Sequence, residues 1–236
     1  MFRSILMREC EDAGVKINSK QIETVDKFRR LLLDYNERVN LTRITSDADF
    51  ALKHVVDSLM MFKYVEVPQG AKIIDVGTGP GIPGILLKIY RPDLHLTLLE
   101  SVRKKTIFLD NVVGQLGLTK VEVVTDRAEI AGNDRIYRNT FDLAVARAVS
   151  KLAVVSELCI PFLKPQGVFV AFKGPDSSEE IAEAKRAVEI LGGAIEAQWD
   201  YDLGKDNVRK LVLIKRHGST PRRDPRRPGV PAKDPL

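Results

Sequence analysis

Asp75 and the glycines at 77, 79, 81 and 84 make up the segment of this chain best suited to chemistry. The β-branched run Ile73-Ile74-Asp75-Val76 passes directly into Gly77-Thr78-Gly79-Pro80-Gly81-Ile82-Pro83-Gly84. Ile85-Leu86-Leu87-Lys88-Ile89-Tyr90 then starts a helix. Glycines let a backbone turn sharply and come close to a ligand, and amides at a helix start can hold a carboxylate or phosphate. The loop is expected to cradle a nucleotide-type cofactor. The plainer readings are a tight turn with no ligand and Asp75 as a cap for that turn.

Spacing selects among cofactors. A dinucleotide fingerprint, G-x-G-x-x-G, needs its third glycine at position 82, which is Ile82. The spacing present is G-x-G-x-G. Glu100 closes the second strand, where a carboxylate can accept two hydrogen bonds from ribose hydroxyls. This set suits S-adenosylmethionine better than NAD. Glu100 can also serve as a cap for the helix starting at Val102.

Arg127-Ala128-Glu129 follows the third strand. Ala128 and Glu129 can meet an adenine there, or Arg127 and Glu129 can be a solvated charge pair. Arg147 ends the apolar fourth strand, the rim where α/β folds bind ligands. It can hold a substrate phosphate, a methionine carboxylate or guanine O6, or form an ordinary ion pair. Lys173, before Gly174-Pro175, reads as part of a turn. His54 and Asp57 read as a local surface pair on one helix. No second His or Cys has metal-ligand spacing, so no metal is expected. Cys10 and Cys159 are expected to be reduced thiols.

These residues need a scaffold, and from Lys72 the pattern alternates strand and helix. Strands are expected at Lys72–Val76, Leu94–Glu100, Val121–Thr125, Phe141–Ala146 and Gly167–Phe172. Helices are expected at Ile82–Tyr90, Val102–Leu116, Ser150–Leu163 and Glu179–Leu191, with an irregular piece at Asp126–Arg138. Alternation of this kind gives an α/β fold with a parallel sheet. Ala194–Tyr201 and Val208–Lys215, joined by the turn-rich Asp202-Leu203-Gly204-Lys205-Asp206-Asn207, read as a terminal antiparallel hairpin. The N-terminal part reads as helical. Asn18 and Gln21 resemble a capping box ahead of Ile22, Val25, Phe28, Leu32, Tyr35 and Val39. A second helix is expected from Ser46, with Phe50, Leu52, Val55, Val56, Leu59 and Met60 on its apolar face. Three segments follow: a helical subdomain at 1–64, the cofactor-binding domain at 65–216 and a tail at 217–236.

The net charge of +5 is a property of the tail. From Lys215 onward seven Lys/Arg face two Asp, leaving thirty residues of each sign before it. Five of the twelve prolines lie beyond Ser219, so the tail is expected to be an extended, mobile arm. Arg222, Arg223, Arg226 and Arg227 would give it affinity for an anionic macromolecule. No stretch has the length of a membrane span or the core of a signal peptide. The expectation is a cytoplasmic monomer, with neither membrane nor metal.

Together these residues resemble the RsmG (GidB) family of bacterial 16S ribosomal RNA guanine-N7 methyltransferases. The resemblance rests on Val76–Gly84, Arg91-Pro92, Leu98–Ser101, Lys104-Lys105, Arg127–Glu129, Ala146–Ala148 and Lys173-Gly174. It extends to Asn40–Thr42, His54–Ser58 and the ending Asp224-Pro225-Arg226-Arg227-Pro228-Gly229-Val230-Pro231, in order along nearly the whole chain. It implies a Rossmann-like class I methyltransferase with a seven-stranded, mostly parallel sheet, acting on 16S rRNA or the small subunit. It implies Gly77, Gly79 and Ile82 in the cofactor loop, Glu100 and Ser101 at the ribose, and Ala128 and Glu129 at the adenine. Arg147 would lie at the methyl-transfer site. Two positions depart from the family pattern: Ile82 replaces Leu or Phe, and Asp224 stands where the tail commonly has an aromatic residue. The competing classes are an NAD-dependent oxidoreductase and a non-catalytic RNA-binding module.

Overall fold

Apolar side chains alternate along the strands so that both faces of one sheet are buried. Ile73, Leu143 and Leu211 join one apolar cluster, while their neighbours Ile74, Ala144 and Val212 join the other. This is the period-two pattern of a sheet covered by helices on both sides. The structure is a computed structural model that describes residues 1–204 and 207–236. Lys205 and Asp206, in the turn expected between the last two strands, lie outside the described residues.

The strands are β1 (Lys72–Val76), β2 (His95–Glu100), β3 (Val121–Thr125), β4 (Phe141–Arg147), β5 (Leu163–Lys173), β6 (Gly193–Asp202) and β7 (Val208–Arg216). They form a seven-stranded sheet in the order β3-β2-β1-β4-β5-β7-β6. The first five pair in parallel, and β7 joins β5 and β6 antiparallel. The chain steps outward from β1 to β3, then returns to place β4 on the other side of β1. The switch point therefore lies at the carboxyl ends of β1 and β4, where such sheets bind ligands.

Two N-terminal helices, α1 (Phe2–Asp12) and α2 (Ser19–Asn36), pack on the face that carries Ile73. The capping box is formed: the Gln21 N–H donates to Asn18 Oδ1 at 2.9 Å, and the Asn18 N–H to Gln21 Oε1 at 2.8 Å. Ile22, Val25, Phe28 and Leu32 are buried as their spacing predicts, whereas α2 ends at Asn36 and excludes Val39. Beyond Ser46, which caps Asp49, the chain is helical in short pieces, and Phe50–Val56 is a π-helix. Such widened turns cluster at functional sites.

Later helices are α3 (Gly84–Tyr90), α4 (Arg103–Leu116), α5 (Ala128–Ala131), α6 (Leu152–Cys159), α7 (Ser178–Ile190) and α8 (Val230–Lys233). Most boundaries move by a few residues, β5 by four at its start, and three differences stand out. The helix expected to reach Leu163 stops at Cys159 and gives way to a 3₁₀ turn containing Pro161, which has no amide to continue it. The segment expected to be irregular contains α5. The tail is not an extended arm: it folds back on the body and includes α8. Arg138 holds it by donating to the carbonyls of Thr220, Pro221 and Asp224 at 3.2, 3.0 and 2.7 Å.

Candidate active site

The loop after β1 is built around Asp75. This fully buried carboxylate accepts from Thr78 Oγ1 at 2.6 Å and from the Gly84 N–H at 2.8 Å, both through Oδ2. A Cβ on Gly84 would lie 2.7 Å from that oxygen and 2.7 Å from Leu98, so this glycine serves close packing. Gly79 is different: its φ is +58°, and a Cβ there would meet nothing within 4 Å. One glycine lets the loop close on its own strand, and the other presents bare backbone to open space. Asp75 thus caps the loop, and its Oδ1 has no hydrogen-bond partner among the described residues. Burial, the largest influence, pushes its pKa up to about 6 against the hydrogen bonds that favour the anion.

Glu100 fulfils the capping reading of its position and also holds the loop. Its Oε1 accepts from the Val102 N–H at 2.9 Å at the start of α4, and its Oε2 accepts from the Gly79 N–H at 3.1 Å. The carboxylate thereby fixes the loop against the end of β2. Beyond it lies a cavity of about 230 Å³ lined by Gly77, Ser101, Ala128 and Glu129. Arg127 and Glu129 do form a 2.7 Å ion pair, but Glu129 is buried rather than solvated. Burial favours its neutral form, yet Arg127 and the Gly229 N–H hold it below the usual carboxylate range.

A second cavity, of about 550 Å³, is lined by Gly77, Gly79, Ile82 and Arg147, and by Thr42 and His54 from the N-terminal segment. Gly77 borders both cavities, so they form one cleft across the ends of β1 and β4. Five cations line this half (Lys53, Lys105, Arg147, Lys173 and Arg209) against one carboxylate, Asp57. Lys173 does more than end a turn, since it ties the Ser150 carbonyl at 2.7 Å to Glu180 at 2.5 Å.

Arg147 is held from behind. Its Nη1 donates to Asp57 Oδ2 at 2.9 Å and to the Lys53 carbonyl at 3.2 Å, and Tyr201 donates to Asp57 Oδ1 at 2.6 Å. Its Nη2 lies 3.1 Å from His54 Nδ1. A guanidinium has no acceptor, so Nδ1 must accept and the proton must sit on Nε2. Nε2 lies 3.1 Å from Thr42 Oγ1, which accepts the hydrogen bond from its N–H. Burial first, and then the Arg147 charge, lower the His54 pKa to about 3, and the ring is neutral. Burial and the Asp57 charge hold the Tyr201 hydroxyl protonated.

His54 and Asp57 are therefore not a surface pair. They are 7% and 3% exposed, because the π-helical segment packs beneath the end of β4. Thr42 and Tyr201 also belong to this network, although their types and spacing gave no sign of it. The tail arginines divide. Arg222, Arg223 and Arg227 are exposed, whereas Arg226 grips Glu157 through Nε and Nη2 at 2.9 and 2.6 Å.

A family model described as rRNA small subunit methyltransferase G matches residues 21–200. The chain is 47% identical over 227 residues to the ribosomal RNA small subunit methyltransferase G of Moorella thermoacetica, covering 96% of this chain and 95% of that one. This chain belongs to the rRNA small subunit methyltransferase G family. That membership decides against the oxidoreductase alternative. Solved structures agree on the fold. MtNAS in complex with MTA and tNA superposes with a TM-score of 0.55 at 15% identity, over 84% of this chain and 75% of that one. The [4+2]-cyclase SpnF superposes at 0.54 and 14%, over 69% and 81%. A cyclase on this scaffold shows that the fold alone does not fix the reaction. In this family-G chain it is the cleft, not the scaffold, that carries the chemistry.

Among the described residues no group of three or more His, Cys, Asp or Glu is placed to hold a metal. No helix of the described residues is long and apolar enough to cross a membrane.

Proposed function

We propose that this chain transfers the methyl group of S-adenosylmethionine to N7 of a guanine in 16S ribosomal RNA. The observation that carries the proposal is a cleft with two unlike halves. One half is a small cavity beside the acidic strand end, the other has a cationic lining, and the glycine loop borders both through Gly77. The residues fit the cofactor: the unpartnered Asp75 Oδ1 and the bare face of Gly79 lie in the loop that would hold it. Gly77, Gly79 and Ile82 would hold it, with Glu100 and Ser101 at the ribose and Ala128 at the adenine. When bound, the cofactor supplies an electrophilic methyl on a sulfonium.

Guanine N7 carries a lone pair and no proton, so the acceptor needs no general base. The site matches this requirement. His54 Nδ1 already accepts from Arg147, and both oxygens of Asp57 already accept. Catalysis then rests on alignment and exclusion of water. Arg147 donating to N7 would occupy the attacking lone pair. Its part is to hold O6, a phosphate or the cofactor carboxylate. Exposed Arg222, Arg223 and Arg227 add salt-dependent affinity for the RNA backbone, and the enzyme acts in the cytoplasm on a splayed-out base.

The direct experiment is incubation with radiolabelled S-adenosylmethionine and small ribosomal subunits that lack the modification. Label in guanine is expected. Label absent from guanine would end the proposal.

A further inference from the structure

The tail does something that its charge does not foretell. Pro231 and Ala232 line the same cavity as Ser101, Ala128 and Glu129. The segment that carries them is pinned at successive points. Arg226 donates to the buried Glu157 through its N–H at 2.8 Å as well as through its guanidinium. Asn133 donates to the Pro225 carbonyl at 2.9 Å. Gly229 then donates at 3.0 Å to Glu129 Oε1, the oxygen that Arg127 also holds at 2.7 Å. Beyond that clasp the chain turns into α8 and reaches the cavity.

We infer that residues 229–232 form a wall of the cofactor site: Pro231 and Ala232 close its adenine end, and Glu129 clasps that wall. A purine ring offers two flat apolar faces, which match a proline and an alanine methyl better than any tail cation. Glu129 becomes a positioning residue, acting on the purine through Gly229. The inference rests on the methyltransferase reading above, because it is that reading which puts adenine in the smaller cavity.

Thiol reactivity tests it in the full-length chain. Cys10 and Cys159 are 1% and 0% exposed, so a thiol introduced by Ala232→Cys is the accessible one. Ala232 is itself exposed, so the substitution leaves the core untouched. The rate of alkylation by N-ethylmaleimide is measured with and without S-adenosylhomocysteine, while calorimetry on the same sample reports binding. At about ten times Kd the ligand should slow alkylation about tenfold. A control thiol from Glu23→Cys, exposed on α2, should react at an unchanged rate. Unchanged alkylation of the Ala232→Cys protein while calorimetry shows saturation would overturn the wall and leave the methyltransferase reading standing. Absence of calorimetric binding by the unsubstituted chain would overturn both.

Discussion

Arg147 and Asp57 meet at 2.9 Å across 90 residues of sequence, and their ion pair joins the N-terminal helices to the carboxyl end of β4. With side chains only 14% and 4% exposed, the pair lies largely out of water. Charges in such a place cost much to bury, and that cost is offset only while each keeps its partner. The pair therefore serves geometry more than stability.

Removing one partner strands the other charge out of water. Asp57→Ala leaves the guanidinium facing no carboxylate and should lower unfolding free energy by about 3–5 kcal/mol. Tyr201→Phe removes one hydrogen bond to the same carboxylate and should cost about 1 kcal/mol. Urea denaturation measures both. Equal, negligible losses would mean that the network carries no load.

His54 predicts a pH dependence. Its ring is held at about 3 in the native state against 6.5 when unfolded. Between those values the unfolded chain binds a proton that the native ring refuses. Stability contributed by this residue is thus lost as pH falls from 6.5 toward 3, by up to about 1.4 kcal/mol per pH unit. Asp75 acts in the opposite sense. Raised from 3.8 to about 6, it favours the fold below 3.8, and that contribution is lost as pH rises through 6. Denaturation compared with His54→Gln and with Asp75→Asn should yield difference curves of opposite slope between about pH 4 and about pH 6.

Asp224 is a candidate for stabilisation. The side chain is fully buried, and neither of its oxygens has a hydrogen-bond partner among the described residues. Burial, followed by the Glu157 charge, raises its pKa, so its contribution is lost as pH rises through the folded value. Asp224→Asn removes the buried charge and should stabilise the fold at neutral pH by about 1 kcal/mol. The gain should vanish in acid. Thermal unfolding at the two pH values checks this.

The two loop glycines should separate packing from binding. Gly84→Ala places a methyl against Asp75 and Leu98 and should destabilise by about 2 kcal/mol. Gly79→Ala meets open space, so its cost is the strain of a positive φ, about 1 kcal/mol. Its larger effect should be weaker binding of S-adenosylhomocysteine, read by calorimetry.

The sheet was legible because a parallel strand buried on both faces leaves a near-continuous apolar run, as Leu143–Ala146 in β4 and Val168–Phe172 in β5 show. The half-exposed β3, broken by Glu122, was placed by the alternation of strand and helix. The cofactor loop was legible because glycine spacing and a strand-end acid are local signals. The support behind Arg147 was not. His54 and Asp57 sit three apart on a helix, and nothing local says whether that face meets water or another element. The tail misled for a related reason: arginine and proline predict an open chain unless partners exist elsewhere. Glu157, Arg138 and Asn133 are such partners, each 69 or more residues away.

Methyl transfer to guanine N7, in a cleft where Asp57 holds Arg147, leaves a mark that chemistry can read. Borohydride and aniline cleave RNA at N7-methylguanine, and primer extension then maps the break in 16S rRNA. Treated small subunits should show one new stop with the unsubstituted enzyme and almost none with Arg147→Ala. Label in rRNA with no such stop, or a stop of equal strength from Arg147→Ala, would contradict this assignment of the cleft.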